Sequence, residues 1–191
     1  MLKSQLADGW LMYETEAFSP LLAADGPTAT VILSNDAREL QEQTLGDGTA
    51  CLVFLDGSVD VVDLTTGVRR RLITGPRNIT NVRIDDGRVV CIEDGQRILV
   101  LDLSETAPVA RELPDPTAAW DRFELYGTSI IAYDATSGLW ASDLVKDPAR
   151  WKPLVLPAGY MFDDFDVYGP DIVSSIALPT EELNIYLIRP Q

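Results

Sequence analysis

Histidine is absent from this 191-residue chain. Its absence excludes histidine acid–base chemistry, a Ser-His-Asp triad and any histidine-ligated metal within the chain. Cysteine is nearly absent: Cys51 and Cys91 stand in the apolar runs Ala-Cys-Leu-Val-Phe and Val-Val-Cys-Ile, and each reads as a small buried apolar residue rather than a ligand, nucleophile or disulfide partner. No apolar run approaches the roughly 18 residues of a membrane helix, and the opening Met-Leu-Lys-Ser-Gln-Leu-Ala-Asp-Gly has no signal-type apolar core. A cytoplasmic location is the expectation. Glycine-rich phosphate loops, a Gly-x-Ser-x-Gly turn, Cys-x-x-Cys pairs and calcium-loop spacings are missing too, so neither a cofactor nor a metal is expected. Positive charge is scarce, with 15 Lys and Arg against 30 Asp and Glu. The resulting net charge of −15 makes nucleic acid and anionic membrane poor partners.

What the chain does have is repetition. A short signature, an apolar residue followed by one or two residues and then a glycine, occurs at Leu6-Ala-Asp-Gly9, Leu45-Gly-Asp-Gly48, Ile84-Asp-Asp-Gly87, Leu125-Tyr-Gly127 and Val167-Tyr-Gly169. Successive anchors are 39, 39, 41 and 42 residues apart, and five residues before each stands another apolar residue: Met1, Leu40, Ile79, Trp120 or Phe162. An apolar run follows each glycine of the middle copies and ends in a turn such as Asp56-Gly57 or Asp94-Gly95, which are hairpin signals. The next run closes on Asp63-Leu64, Asp102-Leu103 or Asp143-Leu144, and a fourth run completes the copy, as in Val68–Ile73 and Trp151–Leu156. Each copy therefore reads as four short strands joined by tight turns. The fifth, from Phe162, supplies only three. The copies run 1–39, 40–78, 79–119, 120–161 and 162–191, forming one repeat domain.

Four-stranded antiparallel units at this period mark propeller blades, which bury both faces by stacking around an axis. The chain resembles the β-propeller repeat superfamily, of the WD40-like or YVTN-like kind, along essentially its whole length. The likeness departs from WD40 repeats at their hallmark pairs: there is no Gly-His, and Asp63, Asp102 and Asp143 follow Val, Leu and Ser rather than Trp. An all-β propeller or partial propeller is thus expected. Its three-stranded last copy suggests self-association or a partner chain completing the ring, since an open edge invites pairing. One segment reads differently on local grounds. Asp36–Gly46 has a helical capping pattern, Asp36 with Glu39, and a glycine stop, whereas the repeat makes its second half a first strand. The repeat is preferred, because pairing overrides propensity.

The resemblance implies binding at the loops that enter the first strands. Here these are Gly75–Asn78, 118–122 and 159–164, and ten of the fifteen aromatic residues lie between Trp120 and Tyr168. Aromatics beside Arg and Asp are the composition of interface hot spots. The candidate binding residues are Arg77, Asn78, Asp121, Arg122, Tyr160 and Asp163, whereas Trp120 and Phe162 occupy the apolar repeat position and read as core. A protein-interaction scaffold is the leading expectation. The alternative is a carbohydrate-binding lectin or a five-bladed glycoside hydrolase, with Asp121 and Asp163 as the catalytic carboxyls about 5–5.5 Å or about 6.5–9.5 Å apart.

Overall fold

The computed structural model describes the backbone of residues 4–7, 10–14, 21–25, 28–33, 38–114, 119–155, 161–168, 171–177 and 183–188, with side chains for Trp10, 38–114, 119–155 except Ala149, and Phe165. Among the described residues every regular element is a strand. The first sheet joins β1 (Ser4–Ala7), β2 (Trp10–Glu14), β3 (Leu21–Asp25) and β4 (Thr28–Leu33) in sequence order. The second joins β5 (Leu40–Gly46), β6 (Thr49–Phe54), β7 (Val59–Asp63) and β8 (Arg69–Ile73), and the third β9 (Ile79–Asp85), β10 (Arg88–Glu93), β11 (Arg97–Asp102) and β12 (Arg111–Glu112). The fourth holds β13 (Arg122–Tyr126), β14 (Ser129–Asp134), β15 (Gly138–Asp143) and β16 (Asp147–Leu154). The fifth has three described strands, β17 (Met161–Tyr168), β18 (Asp171–Ala177) and β19 (Leu183–Ile188). The expected series of antiparallel four-stranded repeats with a three-stranded last member is present. Residues 40–46 form strand β5 despite their helical caps, because pairing along β6 satisfies their backbone groups.

The repeated signatures turn out to be turn chemistry. Asp47 and Gly48 both have positive φ (52° and 64°), the type I′ geometry that matches strand twist. The Asp-Leu dipeptides do two jobs at the same end of each sheet. Leu64, Leu103 and Leu144 donate their N–H to the carbonyls of Gly48, Gly87 and Thr128 at 3.0, 2.9 and 2.7 Å, latching the third strand onto the first hairpin. The preceding aspartates bend back over the next turn. Asp63 Oδ1 accepts from the amides of Thr65 and Thr66, Asp102 Oδ1 from the amide and hydroxyl of Ser104, and Asp143 Oδ1 from the amides of Val145 and Lys146. These are Asx-type turns, in which a carboxylate replaces a backbone acceptor.

The chain divides into two compact units, Met1–Asp94 with Ile98–Glu112, and Gly95–Arg97 with Leu113–Gln191. In the first unit the second sheet is covered on both faces. Along β6, Ala50, Leu52 and Phe54 join a cluster with Leu45, Val62, Leu64, Trp10 and Leu40, while Cys51 and Val53 face the other way into a cluster with Val59, Val61, Ile79, Val82, Val89, Cys91 and Leu101. Two-sided burial explains why the sequence of β6 is an unbroken apolar run rather than an alternating one. Both cysteines are free and buried there, as their surroundings in the sequence implied. Strands β5 and β9 approach so closely that a Cβ on Gly46 would overlap the carbonyl oxygen of Ile84. In the second unit Ile131, Leu139 and Phe165 form a buried cluster, flanked by Tyr133, Ala141 and Leu154.

Candidate functional site

The loop before β9 is held tightly. A Cβ on Gly57, which has φ 74°, would overlap the carbonyl of Arg77, so the β6–β7 turn and the entering loop lie backbone to backbone. Two hydrogen bonds repeat between such turns and the residue ahead of each first strand: Leu55 N–H to Glu39 O and Asp94 N–H to Asn78 O, both 2.9 Å. Arg77 Nη1 lies 3.0 Å from Oε1 of the buried Glu93, and the Arg77 side chain remains 43% exposed. Asn78 is exposed, and beside this loop Leu55 is 58% exposed at the tip of the turn. Arg77 and Asn78 thus lie on a loop whose backbone packs against the turn that carries the exposed Leu55.

In the second unit Trp120 is buried, as its repeat position implied, with its ring 4.9 Å from that of Trp151. Asp121 is exposed, yet its Oδ2 accepts the Ala135 amide at 2.7 Å and its own N–H donates to Tyr133 O. The carboxylate closes the β14–β15 turn. The Arg122 guanidinium lies over the Phe165 ring, 4.5 Å from its centre, a cation–π contact on a buried aromatic. Tyr160 lies outside the described residues. Asp163 belongs to β17, and pairing passes from Phe162–Ile176 to Asp164–Ser175, which makes Asp163 the extra residue of a β-bulge. Gln41 is the matching extra residue of β5, but β13 pairs with β14 without a shift and begins after Asp121. The two aspartates therefore occupy different backbone settings.

The densest polar constellation was not among the sequence candidates. Asp60, in the middle of β7, has a side chain only 3% exposed and is gripped by three arginines. Arg38 Nη2 donates to Oδ2 at 2.8 Å, Arg69 Nε to Oδ2 at 2.7 Å and Arg71 Nε to Oδ1 at 3.0 Å. Arg38 also donates to Ser58 Oγ at 2.8 Å and stacks 3.8 Å from the centre of the Phe54 ring. Burial pushes the Asp60 carboxyl up, but the hydrogen bonds from Arg38, Arg71 and Arg69 outweigh it and hold the group below its ordinary value. Arg70, between the other two on β8, donates instead to the carbonyls of Leu103 and Glu105 in the β11–β12 connection. The run Arg69-Arg70-Arg71 was the available signal, since a strand sends alternate side chains to opposite faces. Among the described residues no group of three or more Cys, Asp or Glu side chains is arranged to hold a metal ion.

No protein-family model matches the chain, and no curated protein is similar to it in sequence. Solved structures are similar in fold. The computationally designed propeller Ika8 superposes with a TM-score of 0.64 at 13% identity, over 98% of this chain and 58% of that one. A prolyl endopeptidase, through its propeller domain, gives 0.61 at 11% identity over 94% of this chain and 31% of that one. The N-terminal domain of Nup159 gives 0.56 at 9% identity, over 98% and 60%. This chain therefore spans less than two thirds of each of these three structures. Tandem antiparallel sheets with latched hairpins, and the likeness to these structures, give one conclusion: the chain has the β-propeller fold.

Proposed function

We propose that this protein is an interaction module that binds a protein partner through the loops leading into its first strands. The observation that carries this reading is the patch made by Leu55, Arg77 and Asn78. There the exposed Leu55 stands on the β6–β7 turn, and the partly exposed Arg77 with the exposed Asn78 on the loop whose backbone packs against that turn. Preorganised apolar and Arg side chains are what hot spots require. The use of the Asp121 carboxylate as a turn closure speaks against its service in an acid pair, so the binding reading is favoured over hydrolysis.

The test compares partner capture by the wild-type chain, by Leu55→Asp with Arg77→Glu, and by Val68→Asp at the opposite end of the second sheet, where Val68 is 64% exposed. Partners lost with the first variant and retained by the second support the reading. Identical capture by all three would overturn it.

A further inference from the structure

A cavity of about 390 Å³ opens on one face of the fourth sheet, within the size range of small-molecule pockets. Its uncharged lining is mixed, with Ile131 and Ala141 beside Ser129 and Ser142. Ile131, buried in β14, pairs with Ala141 of β15, and Ala141 pairs with Lys152 of β16, so the three form one row across the sheet. Arg150 and Lys152 are two positions apart on β16, Arg150 within the irregular stretch where the pairing with β15 shifts register. Both line the cavity, and among the described residues neither has a hydrogen bond or ion pair. The other charges in the wall are partly balanced: Lys146 Nζ lies 3.4 Å from Asp143 Oδ2, and Asp143 also closes its own turn. Among the described lining residues that leaves Arg150 and Lys152 against Asp147, a surplus of one positive charge in a chain of net charge −15.

We infer that this cavity binds a carboxylate carried on a short apolar group, with the carboxylate between Arg150 and Lys152 and the apolar part over Ile131 and Ala141. A single surplus charge suits a monoanion, and Asp147 opposes a dianion such as phosphate. The planar guanidinium matches a carboxylate in a two-point contact. A free short-chain acid and the terminal carboxylate of a peptide share this chemistry.

Calorimetric titration tests the inference with hexanoate, hexan-1-ol, inorganic phosphate, and acetyl-Leu-Leu as free acid and as amide. Hexanoate or the free-acid peptide is expected to bind saturably at millimolar concentration or better. The matching neutral ligand, hexanol or the peptide amide, is expected to bind at least tenfold more weakly, the loss of one charge-assisted contact. Whichever carboxylate binds more tightly identifies the source. Replacing both exposed cations, Arg150→Gln with Lys152→Gln, is expected to weaken binding at least tenfold while leaving the thermal midpoint unchanged. Failure of both carboxylates to bind, equal affinity for the neutral ligands, tighter binding of phosphate, or undiminished binding by a folded double variant would each overturn the inference.

Discussion

Replacing Asp60 by alanine should unfold the first unit at a much lower temperature than any other single change at the surface of that sheet. The substitution removes one buried carboxylate and leaves three guanidinium groups converging on a site that is 3% exposed. Breaking a buried, hydrogen-bonded charge arrangement from one side costs about 3–5 kcal/mol, because the partly buried partners lose their counter-charge and now repel one another. For a chain of this length that lowers the thermal midpoint by roughly 6–20 °C. The single arginine variants should rank by burial. Arg38→Ala, whose side chain is 19% exposed and which also loses Ser58 and the Phe54 face, costs more than Arg71→Ala, which is 46% exposed. Thermal and urea melts followed by far-ultraviolet circular dichroism measure both effects. An Asp60→Ala midpoint within about 2 °C of wild type, less than 1 kcal/mol on the same scale, would refute the reasoning, as would an Arg71 variant weaker than the Arg38 variant.

Asp63→Ala, Asp102→Ala and Asp143→Ala should each cost about 1 kcal/mol in urea melts, the net worth of an exposed turn-closing hydrogen bond set. The Asp63 carboxyl is held below its ordinary value by hydrogen bonds from Thr66 and Thr65, and that of Asp102 by Ser104. At Asp143 burial raises the value, and the amides of Lys146 and Val145 bring it below normal. Lowered folded-state values mean that the unfolded chain binds more protons just below about pH 4, so stability is full above that and declines as pH falls through the folded-state values. Removing all three carboxyls should flatten the acid limb of a stability-against-pH curve, and an unchanged limb would count against the turn assignment. Burial pushes the Cys91 thiol up to about 12, with Glu93 adding to the shift, and raises Cys51 as well. Neither should react with an aromatic disulfide reagent at pH 8 until urea unfolds the chain, and fast labelling of the native protein would contradict their burial.

The repeat was legible in the sequence because its signals are local. Asp47-Gly48 dictates its own turn, and Asp63 reaches only two or three residues ahead. The same locality made residues 36–46 ambiguous, since a capping pattern is visible along the chain and the β6 partner of β5 is not. The Asp60 constellation was hidden for the opposite reason. Its arginines lie 9, 11 and 22 residues away and meet only when β7 and β8 pair and Arg38, two residues ahead of β5, reaches Asp60. At the candidate loops the sequence singled out Arg77 and Asn78 as residues entering a first strand, and both are exposed. It could not show that Asp121 faces a turn amide, because that depends on the register of β13 with β14. The cavity on the fourth sheet left no local trace at all, being a property of three aligned strands.

The latches at Leu64, Leu103 and Leu144 have an evolutionary reading. Every bond they make, and every bond of the aspartates before them, closes within one sheet. A sheet so tied keeps its hairpins aligned whatever its neighbour presents, so the residues between sheets are free to change in compensating pairs while the dipeptide stays. Sheets tied in this way can differ widely in their packing faces, one holding a buried aspartate with three arginines and another a cation-lined hollow, and still share two adjacent residues at a turn.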